Sequence, residues 1–357
     1  MVLIFNRIRL LTVIVMLALL QGCGPVNDQK QTNAWQTASG TPVEKGTPIS
    51  FPADHGKHQE QGIEWWYVTA NLTSESGETF GVQWTLFRAL TPDGITSVWW
   101  DNNIYFSHFA MQHKQAHVAF ERYGRAQQVE ISAMPFKAAI DDWHLSSQES
   151  AFLPLRLSAK QDDYQVALNL DNSPLTLHGD DGYSQKTPSG HASMYYSYPF
   201  LAVTGKLTFA GQHYKVSGHA WLDREWSASL LDRNQMGWDW FSLVDNSRLD
   251  EPQGLMVFCI RDQKQRYDYC SGSQVAKDGT ATQLLNQSIE LKVLDYVNLG
   301  NKNYPSKWQL AIEDKQDIII DTITRDSRNQ LSIPYWEGRV TASGGFNGLG
   351  YAELVGY

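Results

Sequence analysis

Apolar residues in this chain recur at every second position, or in short unbroken runs, almost from residue 64 to the end, and this constrains the fold more than any other feature. A period of two sends alternate side chains to opposite faces of an extended strand, whereas an amphipathic helix needs recurrence at three and four residues. Helical spacing is nearly absent. The pattern predicts strands over 64–72, 79–89, 104–111, 116–121, 155–158, 164–170, 202–209, 214–222 and 238–244. Others follow at 255–261, 289–293, 308–312, 318–322 and 335–341. Turn-forming runs such as Ser76-Gly77, Asp93-Gly94, Gly179-Asp180-Asp181-Gly182 and Asp278-Gly279 separate them. The expected class is all-β, a barrel or sandwich. Thirteen tryptophans and an aromatic fraction of 12% favour strands and suit a pocket for an apolar ligand.

The N-terminus reads differently. Arg7 and Arg9 precede an apolar run over 10–20, then Gln21, Gly22 and Cys23, the layout of a secretory signal. The run is short for a transmembrane helix. Leu20-Gln21-Gly22-Cys23 resembles the bacterial lipobox, which implies that Cys23 carries lipid and begins the mature chain; the alternative is an ordinary signal with an incidental Cys. Gly24 stands where Asp would signal retention at the inner membrane, so the expected location is the outer membrane, facing the periplasm. Residues 24–50 are polar and read as a flexible tether, with the fold starting near Phe51.

Losing residues 1–22 removes two arginines and no acid, which takes the formal net charge from −9 to −11. With no basic run, nucleic acid is excluded as a partner, and an anionic membrane surface repels the chain, so anchoring falls to the lipid.

Cys259 and Cys270 lie on two strand-like segments around the polar turn 262–266, and a hairpin centred on Lys264 and Gln265 sets them opposite each other. A disulfide or two buried thiols both fit this placement. A weak repeat also appears: Trp66-Tyr67 leads to Leu86-Phe87-Arg88, and Trp240-Phe241 leads to Cys259-Ile260-Arg261. Read as duplication rather than chance likeness of strands, it divides the chain into an N-terminal domain over 51–199 and a C-terminal domain over 200–357.

The stretch 219–241 concentrates Trp221, Trp226, Trp238 and Trp240 with several carboxylates. A carboxylate among indole rings is desolvated and must find a partner or change its pKa. On a strand, Asp223 and Glu225 share one face and Arg224 takes the other. Two close carboxylates in such a surround do not both ionise cheaply, so one stays protonated as a general acid while the other orients water. Alternatively, residues 223–225 form buried salt bridges with the Trp residues as barrel plugs. Glu64, beside Trp65 and Trp66, is expected to pair with an arginine such as Arg88 in a structural role.

Other chemistries are excluded. His55 with His58, and His113 with His117, have no further close ligands, so no metal is expected. Ser184 lacks the final glycine of a nucleophile elbow, and neither a dinucleotide fingerprint nor a phosphate loop occurs, so no cofactor is expected.

Glu64-Trp65-Trp66-Tyr67, Gly182-Tyr183-Ser184-Gln185-Lys186, Ser193-Met194-Tyr195-Tyr196-Ser197, the run from Gly218 to Trp226, Gly237-Trp238-Asp239-Trp240, and Tyr335-Trp336-Glu337-Gly338 through Gly350-Tyr351 together resemble the lipocalin-like AttH family. That family is related to the carotenoid 1,2-hydratases of CrtC type, and its members are often called predicted secreted hydrolases. The resemblance covers nearly all of the chain from residue 51. It implies two lipocalin-like (calycin) barrels packed together and an apolar or amphiphilic ligand. In the hydratase branch an aromatic-x-Asp motif protonates an isolated carbon–carbon double bond before water adds, and Trp221-Leu222-Asp223 matches it, which makes Asp223 the proton donor. The hydratases carry a His and Trp pair where this chain has Met194 and Tyr196.

Trp221, Trp226, Trp238 and Trp240 are then candidates to face a carbocation through their ring quadrupoles. Tyr183 and Lys186 either line the junction pocket or stabilise a turn; Trp65, Tyr196 and His219 complete the candidate ligand contacts. Two functions remain open: cofactor-free hydration or hydrolysis with Asp223 and Glu225, or a lipid or ligand carrier working with an ABC-type envelope transporter, a partner the resemblance implies.

Overall fold

The computed structural model describes residues 39–91, 100–229, 231–232, 234–245 and 251–357. The expected signal segment 1–22 and the expected lipidation at Cys23 lie outside the described residues.

The protein is nearly all-β. The first sheet holds β1 (Ile63–Ser74), β2 (Thr79–Leu90), β3 (Asn103–His113), β4 (Ala116–Gly124), β5 (Val129–Ala133), β6 (Phe136–Ile140), β7 (Trp143–Ser147), β8 (Leu155–Gln161), β9 (Tyr164–Leu170), β10 (Thr176–Leu177), β11 (Tyr183–Gln185), β12 (Ala192–Phe209) and β13 (Gln212–Ser227). The second holds β14 (Gln235–Asp245), β15 (Gln253–Asp262), β16 (Tyr267–Val275), β17 (Ala281–Leu284), β18 (Ile289–Leu299), β19 (Lys302–Ile312), β20 (Ile318–Thr322), β21 (Arg328–Asn329), β22 (Tyr335–Gly344) and β23 (Gly348–Val355). Each sheet curls into a lipocalin-like barrel.

The two share one connectivity. In the first, β1 pairs with both β2 and β13, and the order runs β4-β3-β2-β1-β13-β12-β9-β8-β7-β6-β5. In the second, β14 pairs with both β15 and β23, in the order β17-β16-β15-β14-β23-β22-β20-β19-β18. Both are antiparallel meanders whose first and last strands meet, with the break after the fourth strand. The paired segments of the sequence repeat lie on β1 with β2 and on β14 with β15.

The chain passes between sheets after Ser227 and before Gln235. Residue 200, taken from the sequence as the boundary, instead lies inside β12. Pro199 falls where the β12–β13 register shifts between Tyr198 and Leu201. A proline removes one ladder donor there without ending the strand. The expected tether also ends earlier than residue 50. Gly40 donates to the Ala228 carbonyl at 2.8 Å and Thr41 to that of Glu60 at 2.7 Å, while Val43 and Ile49 pack against the first core.

Three apolar clusters follow from the period of two. Trp66, Val68, Leu222 and Trp226 fill the first barrel, and Phe241, Leu243, Trp308 and Trp336 fill the second. Between the sheets lies a third cluster with Tyr67, Tyr195, Trp221, Trp240 and Phe258. Strands at this junction are therefore buried on both faces, and their outer faces carry polar groups that must be satisfied. Gln112 on β3 does part of this across the junction: its amide donates to Ser327 Oγ at 2.9 Å and to the Glu337 carbonyl at 3.2 Å. His117 Nε2 meets Asn329 Oδ1 at 2.8 Å. Cys259 and Cys270 stand opposite each other on β15 and β16 and are joined as a disulfide.

Candidate active site at the barrel junction

Alternation along β13 separates Asp223 from its neighbours. Trp221, Asp223 and Glu225 project into the junction; Leu222, Arg224 and Trp226 project into the first barrel. Across the β12–β13 register, Ser197 faces Asp223 and Tyr195 faces Glu225.

Asp223 is 3% exposed. Its Oδ1 accepts from Trp221 Nε1 at 2.6 Å and from Ser197 Oγ. With two donors on Oδ1, a proton on this carboxyl belongs on Oδ2. Burial pushes its pKa up to about 7, and the Glu225 charge adds to the rise, while the hydrogen bonds from Ser197 and Trp221 oppose it. Behind Ser197 stands His178, whose Nε2 lies 2.7 Å from Ser197 Oγ and whose Nδ1 lies 3.0 Å from Ser273 Oγ in the second sheet. Burial lowers the His178 pKa to about 3, so the ring is neutral. Since Ser197 spends its proton on Asp223, Nε2–H donates to Ser197 and Nδ1 accepts from Ser273, which fixes the tautomer.

Glu225 meets Lys186 Nζ at 2.9 Å and accepts from Ser193 Oγ. The ammonium also sits 4.0 Å from the centre of the Phe258 ring and 5.0 Å from that of Tyr195. Lys186 therefore reaches the junction.

Two further acids approach from the second sheet. Glu353 accepts from Trp238 Nε1 at 2.7 Å, and burial raises its pKa to about 7. Glu337 accepts from the Tyr67 hydroxyl. Burial first, and then the Glu353 charge, hold Glu337 well above the usual carboxylate range. Sequence reasoning missed both as site residues. The signal was a likeness of the last strands, one residue out of step with the repeat read from Trp66 and Trp240: Tyr351-Ala352-Glu353 on the last strand of the second sheet matches Trp221-Leu222-Asp223 on the last strand of the first. Glu353 lies opposite Trp240 and Asp223 opposite Tyr67, so each acid faces an aromatic residue of its sheet's first strand.

Arg224 lies on the other face of β13, away from Asp223. Its guanidinium bonds Glu64 and stacks with Cζ 3.9 Å from the Trp66 ring centre. Glu64, 0% exposed, also bonds Arg88. Burial alone would raise the Glu64 pKa, but Arg224, His58 and Arg88 together drive it below the usual range. Of the salt bridges considered for residues 223–225, that of Arg224 thus forms inside the first barrel and that of Glu225, with Lys186, at the junction, while Asp223 has no arginine partner among the described residues. The second barrel has a similar pair, Arg261 with Asp239 at 3.3 Å.

Of the candidate ligand contacts, Trp65, Trp221, Trp238 and Trp240 belong to the junction cluster. Trp226 does not: it stacks on His58 at 3.9 Å within the first barrel, because it is three residues from Asp223 and alternation turns it inward. Tyr196 likewise faces inward, its hydroxyl 2.7 Å from His55 Nδ1. Tyr183 packs on the first core, and its hydroxyl donates to the Gly190 carbonyl at 3.3 Å. The residues beside Asp223 on β12 are Ser197 and Tyr195, not Met194 and Tyr196.

His219 lines a groove of about 350 Å³ between the sheets, together with Asn71, Trp221, Ser242, Val244 and Arg339. Among the described residues no group of three or more His, Cys, Asp or Glu is placed to hold a metal.

Two lipocalin-like barrels with buried acids between them define the class of protein. The AttH-like family profile matches residues 42–357, and the chain belongs to that family. Among solved structures it is similar to one described as AttH from Nitrosomonas europaea, at 28% identity and TM-score 0.79, covering 89% of this chain and 99% of that one. It is also similar in fold to kievitone hydratase from Nectria haematococca, at 16% identity and TM-score 0.67, covering 89% and 96%. A third structure, CghA, matches at 11% identity and TM-score 0.53, covering 90% and 96%. No curated protein matches.

Proposed function

We propose that the barrel junction binds an apolar or amphiphilic small molecule and that Asp223 is the acid of a cofactor-free hydration there, or of a hydrolysis with the same proton donor. The observation that carries this is Asp223 itself: a buried carboxyl without an arginine partner, bonded by Trp221 and Ser197, with a pKa near the operating pH of a general acid. The hydratase name of one fold relative brings the same reaction class.

In the hydration, the proton on Asp223 passes to one alkene carbon, and the π pair forms the new C–H bond. The neighbouring carbon becomes a cation, faced by aromatic rings of the junction. Water, oriented by Glu225, adds its lone pair to that carbon and returns a proton to the Asp223 carboxylate. Water is consumed and the enzyme is restored.

One observation favours a second reading. The described lining of the groove includes Trp221 and not Asp223, to which Trp221 donates, so a ligand seated there reaches the acid only by a movement of the site. A carrier needs no such movement. In this reading the protein is a non-catalytic carrier working with an ABC-type envelope transporter. In both readings Cys23 carries lipid and anchors the chain at the outer membrane, facing the periplasm.

Extraction of the purified protein and mass spectrometry of co-purifying small molecules identifies the ligand. With it in hand, Asp223→Asn keeps size and removes the transferable proton. The proposal predicts at least ~10²-fold loss of turnover with little change in ligand affinity. Unchanged turnover, or a large loss of thermal stability, would sink the catalytic role.

A further inference from the structure

The junction groove contains a buried cation with no counter-ion among the described residues. Arg339, on β22, is 3% exposed, and its Nε and Nη2 have no hydrogen-bond partner among the described residues. Guanidinium stays charged in proteins, so neutralisation does not relieve it. A buried charge of this kind is costly unless something pairs with it. The chain makes room for the side chain: a Cβ on Gly81 would lie 2.8 Å from Arg339 Cδ and 2.4 Å from the Tyr351 hydroxyl. Gly81 on β2 thus lets an arginine of the other sheet cross the junction.

The groove fits that charge. Its described lining contains no Asp or Glu, in a chain whose formal net charge is −9. Polar side chains, among them Asn71 and Ser242, share the walls with Leu72, Val244 and Leu349. Trp221 adds a large aromatic surface to the lining.

We infer that this groove takes an amphiphile with an anionic, carboxylate-type head, seated on Arg339, with its apolar body directed toward Trp221. The carboxylate supplies the partner that the fold withholds from Arg339, and planar bidentate pairing suits a guanidinium. The inference rests on the junction being the ligand site proposed above; it does not require catalysis by Asp223.

The probes are octanoate, 1-octanol and octyltrimethylammonium, titrated into the purified full chain by calorimetry. Octanoate is expected to bind at least about ten-fold more tightly than octanol, and the cation least. Arg339→Gln should abolish the preference for octanoate while leaving octanol unchanged, and its melting temperature without ligand should hold or rise, since an unpaired buried charge is gone. Ser217→Trp, at an exposed position lining the groove, should exclude every probe. Equal affinity of the wild type for octanoate and octanol overturns the head-group assignment while leaving the junction as ligand site, and this comparison stands even if Arg339→Gln fails to fold. Undiminished binding to Ser217→Trp places the probes elsewhere and overturns it as well. If neither octanoate nor octanol binds the wild type, the ligand-binding reading of the junction fails along with it.

Discussion

Asp223 and Arg224 are adjacent in the chain yet serve opposite faces of one sheet: Asp223 is bonded by Trp221 in the barrel junction, and Arg224 is bonded to Glu64 inside the first barrel. One residue of alternation separates a carboxyl held near neutrality from an ion pair held permanently. The two make opposite predictions on mutation.

Glu64→Gln removes the carboxylate shared by Arg88 and Arg224, both fully buried. Breaking a buried pair from one side leaves uncompensated charge, so the loss of unfolding free energy is expected at ~3–5 kcal/mol. Urea denaturation measures it. A loss below about 1 kcal/mol would show that the triad does not hold the barrel together.

The junction acids give stability a pH dependence of unusual sign. Burial raises Asp223 and Glu353 to about 7, and Glu337 rises as well. The folded protein therefore holds protons that the unfolded chain has released, and this contribution is full below the ordinary carboxylate range and lost as pH rises through the folded value. The share of stability due to these acids is expected to fall between about pH 4 and about pH 7, by an amount on the order of a few kcal/mol, while His55, His108 and His178, whose pKa values burial lowers to about 3, add a share that rises with pH up to the ordinary histidine value. Glu64 acts oppositely, its contribution disappearing only in acid below that window. Denaturation of the wild type and of Asp223→Asn across the window isolates the acid: relative to the wild type, the variant is expected to become more stable as pH rises to about 7. A free-energy difference between the two proteins that does not change with pH would contradict it.

The Cys259–Cys270 bridge closes a loop with a sequence separation of 11. Replacing both residues with serine is expected to cost about 2–3 kcal/mol in the chain-entropy account. Mass mapping of non-reduced peptides should find the two linked. Two freely alkylated thiols in freshly purified protein would rule the bridge out.

Lipid attachment at Cys23 is tested by Cys23→Ala. The acidic chain offers no other attachment to an anionic membrane, so the variant is expected in the soluble fraction. Unchanged membrane fractionation refutes the anchor.

Much of this fold was legible because long strands alternate cleanly. The 64–72 and 79–89 runs became β1 and β2, and Glu64 pairs with Arg88 because the two lie opposite in that register. Parity put Asp223 and Glu225 on one face. The same parity, applied to Trp226 and Tyr196, would have turned them away from the site; counting tryptophans near an acid overlooked it. The five-residue strands β5, β6 and β7 are too short to declare a period. In β23, Gly348 and Gly350 give the alternation no side chain to show, yet both allow close backbone approach, a Cβ on Gly350 falling 1.8 Å from the Ser242 carbonyl. Pro199 read as a boundary because a strand that tolerates proline at a register shift looks, in sequence, like two strands. Glu337 and Glu353 escaped notice because a glutamate on an alternating strand is ordinarily the solvated face, and only the packing of the first sheet against that face buries it.

The central claim is that Asp223 carries a proton near neutral pH, and the most direct measurement is a carbon NMR titration of its carboxyl, assigned by the resonance missing from Asp223→Asn. The account predicts a midpoint of about 7. A midpoint at the ordinary aspartate value of about 4 would contradict it, leaving Asp223 an ionised structural group and the junction without its acid.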